Sequence, residues 1–242
     1  MVARYRITRS EVGDQVTRFK IDGYLVAVGA SYRNGLGFRF SGIQRADINS
    51  SGIRYEINGK QLDTNPLEAG RTEAIIIAFP DTRDVAPVLN GCQGFRTESG
   101  CTSQLEPIPF TVTLPLSTTY STSAAAMDNV DPFIFAVNGY YHGPHVNTSN
   151  ARGWEVHLKN HNPTEAFDST YYDLADDRST SQGKFQTSSG LPWALIIGNT
   201  WSHPREKIDI TEAYSEFTNF AESSGAQNTT WFNSPTSGKT ID

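Results

Sequence analysis

Glu155 and His157 stand two residues apart in the alternating segment Trp154-Glu-Val-His-Leu158. On an extended chain that spacing puts a carboxylate and an imidazole on one face, opposite Trp154, Val156 and Leu158. Such a pair can exchange protons, or can supply two ligands of an open transition-metal site. Four of the five histidines fall between His142 and His161. His142 and His145 lie in Tyr-Tyr-His-Gly-Pro-His, where Gly143 and Pro144 favour a turn. Nothing in the spacing forces these groups to converge, and a solvent-facing strand beside loop histidines fits equally well.

A second cluster is acidic. Asp168, Asp173, Asp176 and Asp177 fall within ten residues, interleaved with Tyr171 and Tyr172. Carboxylates on a loop suit Ca²⁺, which takes six to eight oxygens, although the glycine and terminal glutamate of an EF-hand are missing. A solvated loop is the plain alternative. Carboxylate pairs for glycoside cleavage exist among Glu155, Asp168, Asp177 and Glu206, but a chain with 26 acidic residues offers many pairs. No G-x-S-x-G, H-E-x-x-H, P-loop or G-x-G-x-x-G sequence occurs. A third set is aromatic: Tyr140, Tyr141, Tyr171, Tyr172 and Trp201 fall on turn-like segments. There they offer flat area for sugar rings or peptide side chains. Trp193, between Pro192 and a run of aliphatics, reads as core.

The elements that would position these groups are strands. Charged residues are 19% of the 242, and 20 Gly, 12 Pro and abundant Thr, Ser and Asn mark a loop-rich β protein. Alternation or apolar runs predict strands at 4–8, 17–21, 23–32, 37–41, 53–57, 73–79, 110–116, 132–137, 154–158 and 191–197. Asn34-Gly35 predicts a hairpin joining the third and fourth of these, and Asn58-Gly59 a tight turn. Residues 209–225 alone show a helical period, with Ile210, Ala213, Tyr214, Phe217, Phe220 and Ala221 on one stripe. Asp209 and Glu212 stand in capping-box positions and Gly225 suits the C-terminal turn. The expected fold is all-β: an antiparallel two-sheet sandwich, jelly-roll-like, closed by one C-terminal amphipathic helix. Residues 1–242 read as a single domain, cut from a longer exported protein.

Composition excludes some partners. The net charge is −6 and no two Lys or Arg residues are adjacent, so there is no footprint for nucleic acid. No apolar stretch approaches the roughly 20 residues of a membrane span. Cys92 and Cys101 flank a polar, glycine-bearing loop. They are expected to form a disulfide worth roughly 2–3 kcal/mol, which implies an oxidising compartment. The sequons at Asn49, Asn147 and Asn228 decide nothing in so Ser/Thr-rich a chain.

The run WEVHL, NPT at 162–164, the acidic loop through Asp176-Asp177, GLPWAL at 190–195, HPREKIDITEAYSEFTNFAESSG and the following WF resembles the signature of the LruC domain family, also catalogued as DUF4842. GYLVAVGASYRNGLGFRF resembles that family's first hairpin. The resemblance implies a β-rich domain of a bacterial secreted or surface protein, associated with adhesion or an extracellular matrix. It brings no established catalytic residue. That family's pattern usually opens with an Asp/Asn-rich phrase before the first strand, which is missing here. The HGPH turn and the Cys92–Cys101 loop look peculiar to this chain.

The expected function is therefore recognition without catalysis, at the cell surface or outer envelope. A glycan, peptide or surface protein would be held by Tyr140, Tyr141, Tyr171, Tyr172, Trp201, Glu155 and His157. Ca²⁺ at Asp168, Asp173, Asp176 and Asp177 would assist. The alternatives are a polysaccharide or peptide hydrolase using Glu155 and His157, and a structural module pairing a free sheet edge in a pilus or biofilm matrix.

Overall fold

The computed structural model describes residues 1–174, 176–180, 184–198 and 200–241. Its strands are β1 (Val2–Val12), β2 (Gln15–Ala27), β3 (Asn34–Gln44), β4 (Arg54–Ile57), β5 (Lys60–Gln61), β6 (Glu73–Phe79), β7 (Ile108–Ser121), β8 (Val130–Ala136), β9 (Glu155–Val156), β10 (His203–Pro204) and β11 (Thr240–Ile241). Two antiparallel sheets dominate, ordered β1-β2-β7-β4-β5 and β6-β3-β8-β9, with β10-β11 a short ribbon. The helices are single turns or little more: α1 (Ser99–Thr102), α2 (Ile210–Ala213) and α3 (Phe217–Glu222).

Alternation explains the layering. Phe19, Ile21 and Leu25 of β2 and Val112 and Leu114 of β7 face Phe38 and Phe40 of β3 and Ala74, Ile76 and Ala78 of β6. Phe19 meets Phe40 at 5.0 Å between ring centroids, and the Tyr55 hydroxyl donates to the Ala78 carbonyl at 2.6 Å. This is an all-β sandwich, as the pattern predicts. The second sheet is apolar on its outer face too, where Ile75, Phe133 and Phe135 are buried with Ile77 packed among them. Exposing that face to water would be unfavourable, and it is covered by Arg152 over Phe135, by His157 on Phe133 and by Phe185 on His157.

Three local expectations give way. Asn34-Gly35 is not a hairpin turn: it opens β3, and β2 lies in the other sheet. Gly35 and Gly37 face Phe135 and Phe133 across the β3–β8 ladder, and a Cβ at either would overlap the opposing ring. Glycine here makes room for aromatics rather than for a turn. The tight turn expected at Asn58-Gly59 does form, both residues at positive φ (53° and 73°), between β4 and β5.

Residues 191–197 form no strand and make one bridge, Pro192 to Gln186. Leu191, Leu195 and Ile197 pack onto the C-terminal cluster, whereas Trp193 is 43% and Ile196 61% exposed. An apolar run without a neighbouring ladder divides its side chains between two surroundings instead of adopting a register.

The helix expected over 209–225 is two pieces, α2 and α3. Tyr214 leaves helical geometry (φ −140°, ψ 96°) and buries its ring against Trp231 and Trp201, with its hydroxyl on the Ser202 carbonyl. Tertiary packing overrides the period at that residue. Asp209 still caps, accepting from Thr211 N at 2.8 Å, and Gly225 still ends the segment at φ 84°. Glu212 instead accepts from Lys239. The expected disulfide joins Cys92 and Cys101, Cα atoms 6.3 Å apart.

Candidate functional site

β9 pairs with β8 through Phe135–Glu155 and Ile134–Val156, which points Glu155 and His157 together at the covered face of the second sheet. His157 Nδ1 lies 2.6 Å from Asp131 Oδ2 and Nε2 lies 2.9 Å from Glu155 Oε2. Glu155 also accepts from the Thr164 amide at 2.9 Å, from the Thr164 hydroxyl and from Arg152. Arg152 spans onward to both carboxylate oxygens of Glu68, at 3.0 and 2.9 Å. Glu155 and His157 are 1% and 0% exposed.

Both imidazole nitrogens face carboxylates, so both donate and the ring carries charge. Burial alone would lower the His157 pKa, but the hydrogen bonds to Asp131 and Glu155 outweigh it and raise the value. Burial would likewise raise Glu155, yet the bonds from His157 and Thr164 and the charge of Arg152 hold it down at about 2. Every lone pair of this pair that faces a donor is engaged. The network ties residues 152–164 to the sheet, with both side chains almost wholly buried.

The four aspartates do not gather. Asp168 caps its own turn, accepting from Thr170 N at 3.0 Å and Oγ1 at 2.7 Å. Asp177 accepts from Asp173 N (2.9 Å), Ser179 N (3.1 Å), Ser179 Oγ (2.6 Å) and the Trp193 indole (2.8 Å). Asp173, 3.5 Å from Arg178, and Asp176 are exposed. Among the described residues no three His, Cys, Asp or Glu side chains converge as metal ligands do. The sequence cluster is spent mainly on ordering its own loop.

The aromatics do gather. A cavity of about 360 Å³ opens between the 142–146 turn, β9 and residues drawn from 167–174, 176–179 and 185–193. Trp154, Phe167, Tyr171, Tyr172 and Phe185 form its wall, with Tyr32 and Trp193 at its margins. Tyr171 is buried against Trp154 (6.2 Å between centroids), and Tyr172 leans on Phe167 at 4.6 Å. Glu155, Asp176, Asp177 and Ser179 add polar atoms, and among the described residues no Lys or Arg lines it.

Tyr140 and Tyr141 line a second, shallower hollow of about 320 Å³ with Ser31, Tyr32 and Arg33, whose guanidinium lies 4.3 Å over the Tyr140 ring. Tyr32 borders both hollows. Trp201 belongs to neither, being stacked on Tyr214 at 6.0 Å in the C-terminal cluster.

The cavity brings together Tyr171, Tyr172 and Glu155, expected as ligand-binding, with Asp176 and Asp177, expected as metal ligands, and adds Tyr32, Phe167, Phe185 and Trp193, which sequence reasoning did not point to. The signal for Trp193 was available: a tryptophan directly after proline, in a run with no turn-bounded partner strand.

The molecule is, then, a two-sheet antiparallel sandwich whose outer loop layer is pinned by a buried ionic clamp and hollowed by an aromatic cavity. The chain belongs to the DUF4842 family, described as a domain of unknown function, whose model matches residues 14–232. No curated protein matches the chain. Among solved structures it is similar to one described as a "Putative lipoprotein from Bacteroides ovatus", with a TM-score of 0.66 and 15% identity over 98% of this chain and 67% of that one. At that identity the likeness speaks to the fold.

Proposed function

We propose that this chain is a non-catalytic recognition domain of a bacterial surface protein, and that it binds a glycan in the aromatic cavity beside β9. The observation that carries the reading is the cavity itself: about 360 Å³, walled by aromatic rings, with a few polar atoms at one side. Small-molecule sites have this make-up and start at roughly 300 Å³. Flat rings meet the apolar faces of pyranoses at low entropic cost. The surface setting is supported by the disulfide, which persists in oxidising compartments, and by the lipoprotein description of the similar fold.

Two features favour a glycan over a peptide. β9 is the sheet edge nearest the cavity and is two residues long, too short a ladder for strand addition. Among the described residues the lining also has no Lys or Arg to take a peptide carboxylate. Of the two longer edges, β1 carries exposed Arg4 and Arg6 and irregular register at both ends, and β6 is already bonded by residues 66–68, features that discourage edge pairing. Glu155 and His157 are saturated by each other and by Asp131, Arg152 and Thr164, which does not favour hydrolysis.

The test is a glycan array and a peptide array, each run with calcium and with chelator, on wild type and Tyr172→Ala. Glycan binding lost in the variant supports the reading. Binding to peptides alone replaces the glycan, and silence on both arrays removes recognition by this cavity. A chelator effect would return Ca²⁺ to the argument.

A further inference from the structure

His142 lines the aromatic cavity and is 2% exposed. Its Nε2 lies 2.9 Å from the Val137 carbonyl, an acceptor only, so Nε2 carries the proton and donates. In that tautomer Nδ1 is a bare lone pair. Among the described residues it has no hydrogen-bond partner. Buried polar atoms without partners are rare and unfavourable, so a ligand group that bonds to Nδ1 would relieve that cost. The imidazole is held in place on two sides, loosely stacked under Tyr32 (5.9 Å, 28°) and edge-on to Trp154 (6.4 Å, 86°). Tyr32 is itself 39% exposed, so its ring has solvent into which to swing.

The lining carries the carboxylates of Glu155, Asp176 and Asp177 and the imidazoles of His142 and His145, with Arg178 outside it, 3.5 Å from Asp173. Asp177 already accepts four bonds and so contributes its negative charge rather than a free lone pair. Asp176 is exposed at the same lining, which among the described residues has no Lys or Arg. An acidic sugar would meet two carboxylates in a partly desolvated setting.

Building on the glycan reading above, we propose that His142 Nδ1 is the acceptor that orients the bound ligand. The site takes an uncharged sugar, presenting a hydroxyl or acetamido N–H to that nitrogen, and rejects uronic and sulfated ones.

The test uses the full chain and calorimetric titration with neutral hexasaccharides (β-glucan, mannan, galactan and chitin fragments) against oligogalacturonate and alginate fragments. Three variants join wild type, each checked for an unchanged melting transition: His142→Gln, His142→Asn and Tyr172→Ala. Glutamine can still donate to the Val137 carbonyl but places no acceptor at the Nδ1 position. Asparagine puts its Oδ1 there. The expected result is binding of a neutral fragment, weakened tenfold or more in His142→Gln and better retained in His142→Asn.

Equal binding by both His142 variants and wild type, with Tyr172→Ala inactive, would overturn the role of His142 and leave the cavity reading standing. Preference for the acidic fragments would overturn the charge argument in the same way. No fragment bound, or binding indifferent to Tyr172→Ala, would overturn both.

Discussion

His157 lies flat on Phe133, with ring centroids 4.7 Å apart and planes 12° from parallel. The face of the imidazole rests on the apolar outer surface of the second sheet while its edge is gripped by Asp131 and Glu155. Arg152 repeats the arrangement 4.5 Å over the Phe135 ring, its guanidinium shared between Glu68 and Glu155. Two cations thus sit on two adjacent phenylalanines, each neutralised by carboxylates. A sheet that would otherwise expose two aromatic rings is sealed by charges, and the cavity-bearing loops are fastened at that seal.

The clamp sets a pH window for stability. The His157 pKa is raised above its ordinary 6.5, so its contribution is complete below about pH 6.5 and is lost as pH climbs through the raised value. Glu155 is held at about 2 against an ordinary 4.5, so its contribution is complete above about pH 4.5 and is lost as pH falls toward 2. The pair therefore stabilises most between roughly pH 4.5 and 6.5. Urea melts from pH 3 to 10 should show a declining alkaline limb, and His157→Gln should flatten that limb. A wild type growing steadily more stable from pH 6 to 9 would contradict the assignment of charge to His157.

Breaking the clamp from the carboxylate side should be severe. Glu155→Gln leaves the charged His157 and Arg152 under-compensated in a site excluded from water, at a cost of about 3–5 kcal/mol. Because the two residues share a hydrogen bond, the double variant Glu155→Gln/His157→Gln should lose less than the sum of the singles. Additive losses in denaturant titrations would show that the two side chains act independently.

The spaces above Gly35 and Gly37 should be intolerant of a methyl group. Gly37→Ala places a Cβ where the Phe133 ring lies, and that ring is the platform for His157. Overpacking of this kind destabilises by about 1–3 kcal/mol. Phe133→Leu should be damaging alone yet partly restore the Gly37→Ala protein, because the smaller side chain clears the space. Full tolerance of Gly37→Ala would mean the ring has somewhere else to go.

These glycines also show where the sequence was legible and where it was not. Strands with one wet face announced themselves, since period-two alternation in β2 and β7 records which side chains meet the core. Asn34-Gly35 misled because a glycine required by a cross-strand phenylalanine looks the same as a glycine required by a turn. The second sheet's doubly apolar strands, β6 and β8, gave no hint that their outer face would be covered by the loop carrying Glu155 and His157. Those two were legible as sharing a face, but their partner Asp131 lies 26 residues away and nothing local pairs them. The aspartates clustered in sequence because short loops need several acceptors for their own amides, as Asp168 and Asp177 show.

Reducing the disulfide should be felt at one end of the sandwich only. Cys92–Cys101 closes a loop of nine-residue separation, which the loop-entropy estimate values at about 2–3 kcal/mol. Nearby, Val28 and Phe95 exchange backbone hydrogen bonds at 2.9 Å, and Arg96 donates to the Val26 carbonyl at 3.0 Å. Hydrogen exchange on the Cys92→Ser/Cys101→Ser protein should rise around residues 90–105, while β3 and β8 amides keep their protection. Exchange spreading into those two strands would show the loop to be coupled to the whole core.

Trp193 offers the sharpest separation of binding from folding. Its indole N–H donates to Asp177 at 2.8 Å, while its ring is 43% exposed at the margin of the aromatic cavity. A half-exposed side chain on a loop contributes little to the core, so Trp193→Ala should shift stability by no more than about 1 kcal/mol. If the ring serves as a stacking surface for the sugar, the same change should weaken binding about tenfold or more. Trp193→Phe keeps a stacking face and loses the hydrogen bond to Asp177, so its affinity should fall between those of wild type and Trp193→Ala. Melting curves and titrations on the three proteins settle the matter together. A large loss of stability in Trp193→Ala makes the residue structural, and unchanged affinity places the ligand at the far end of the cavity, toward His142 and Tyr32.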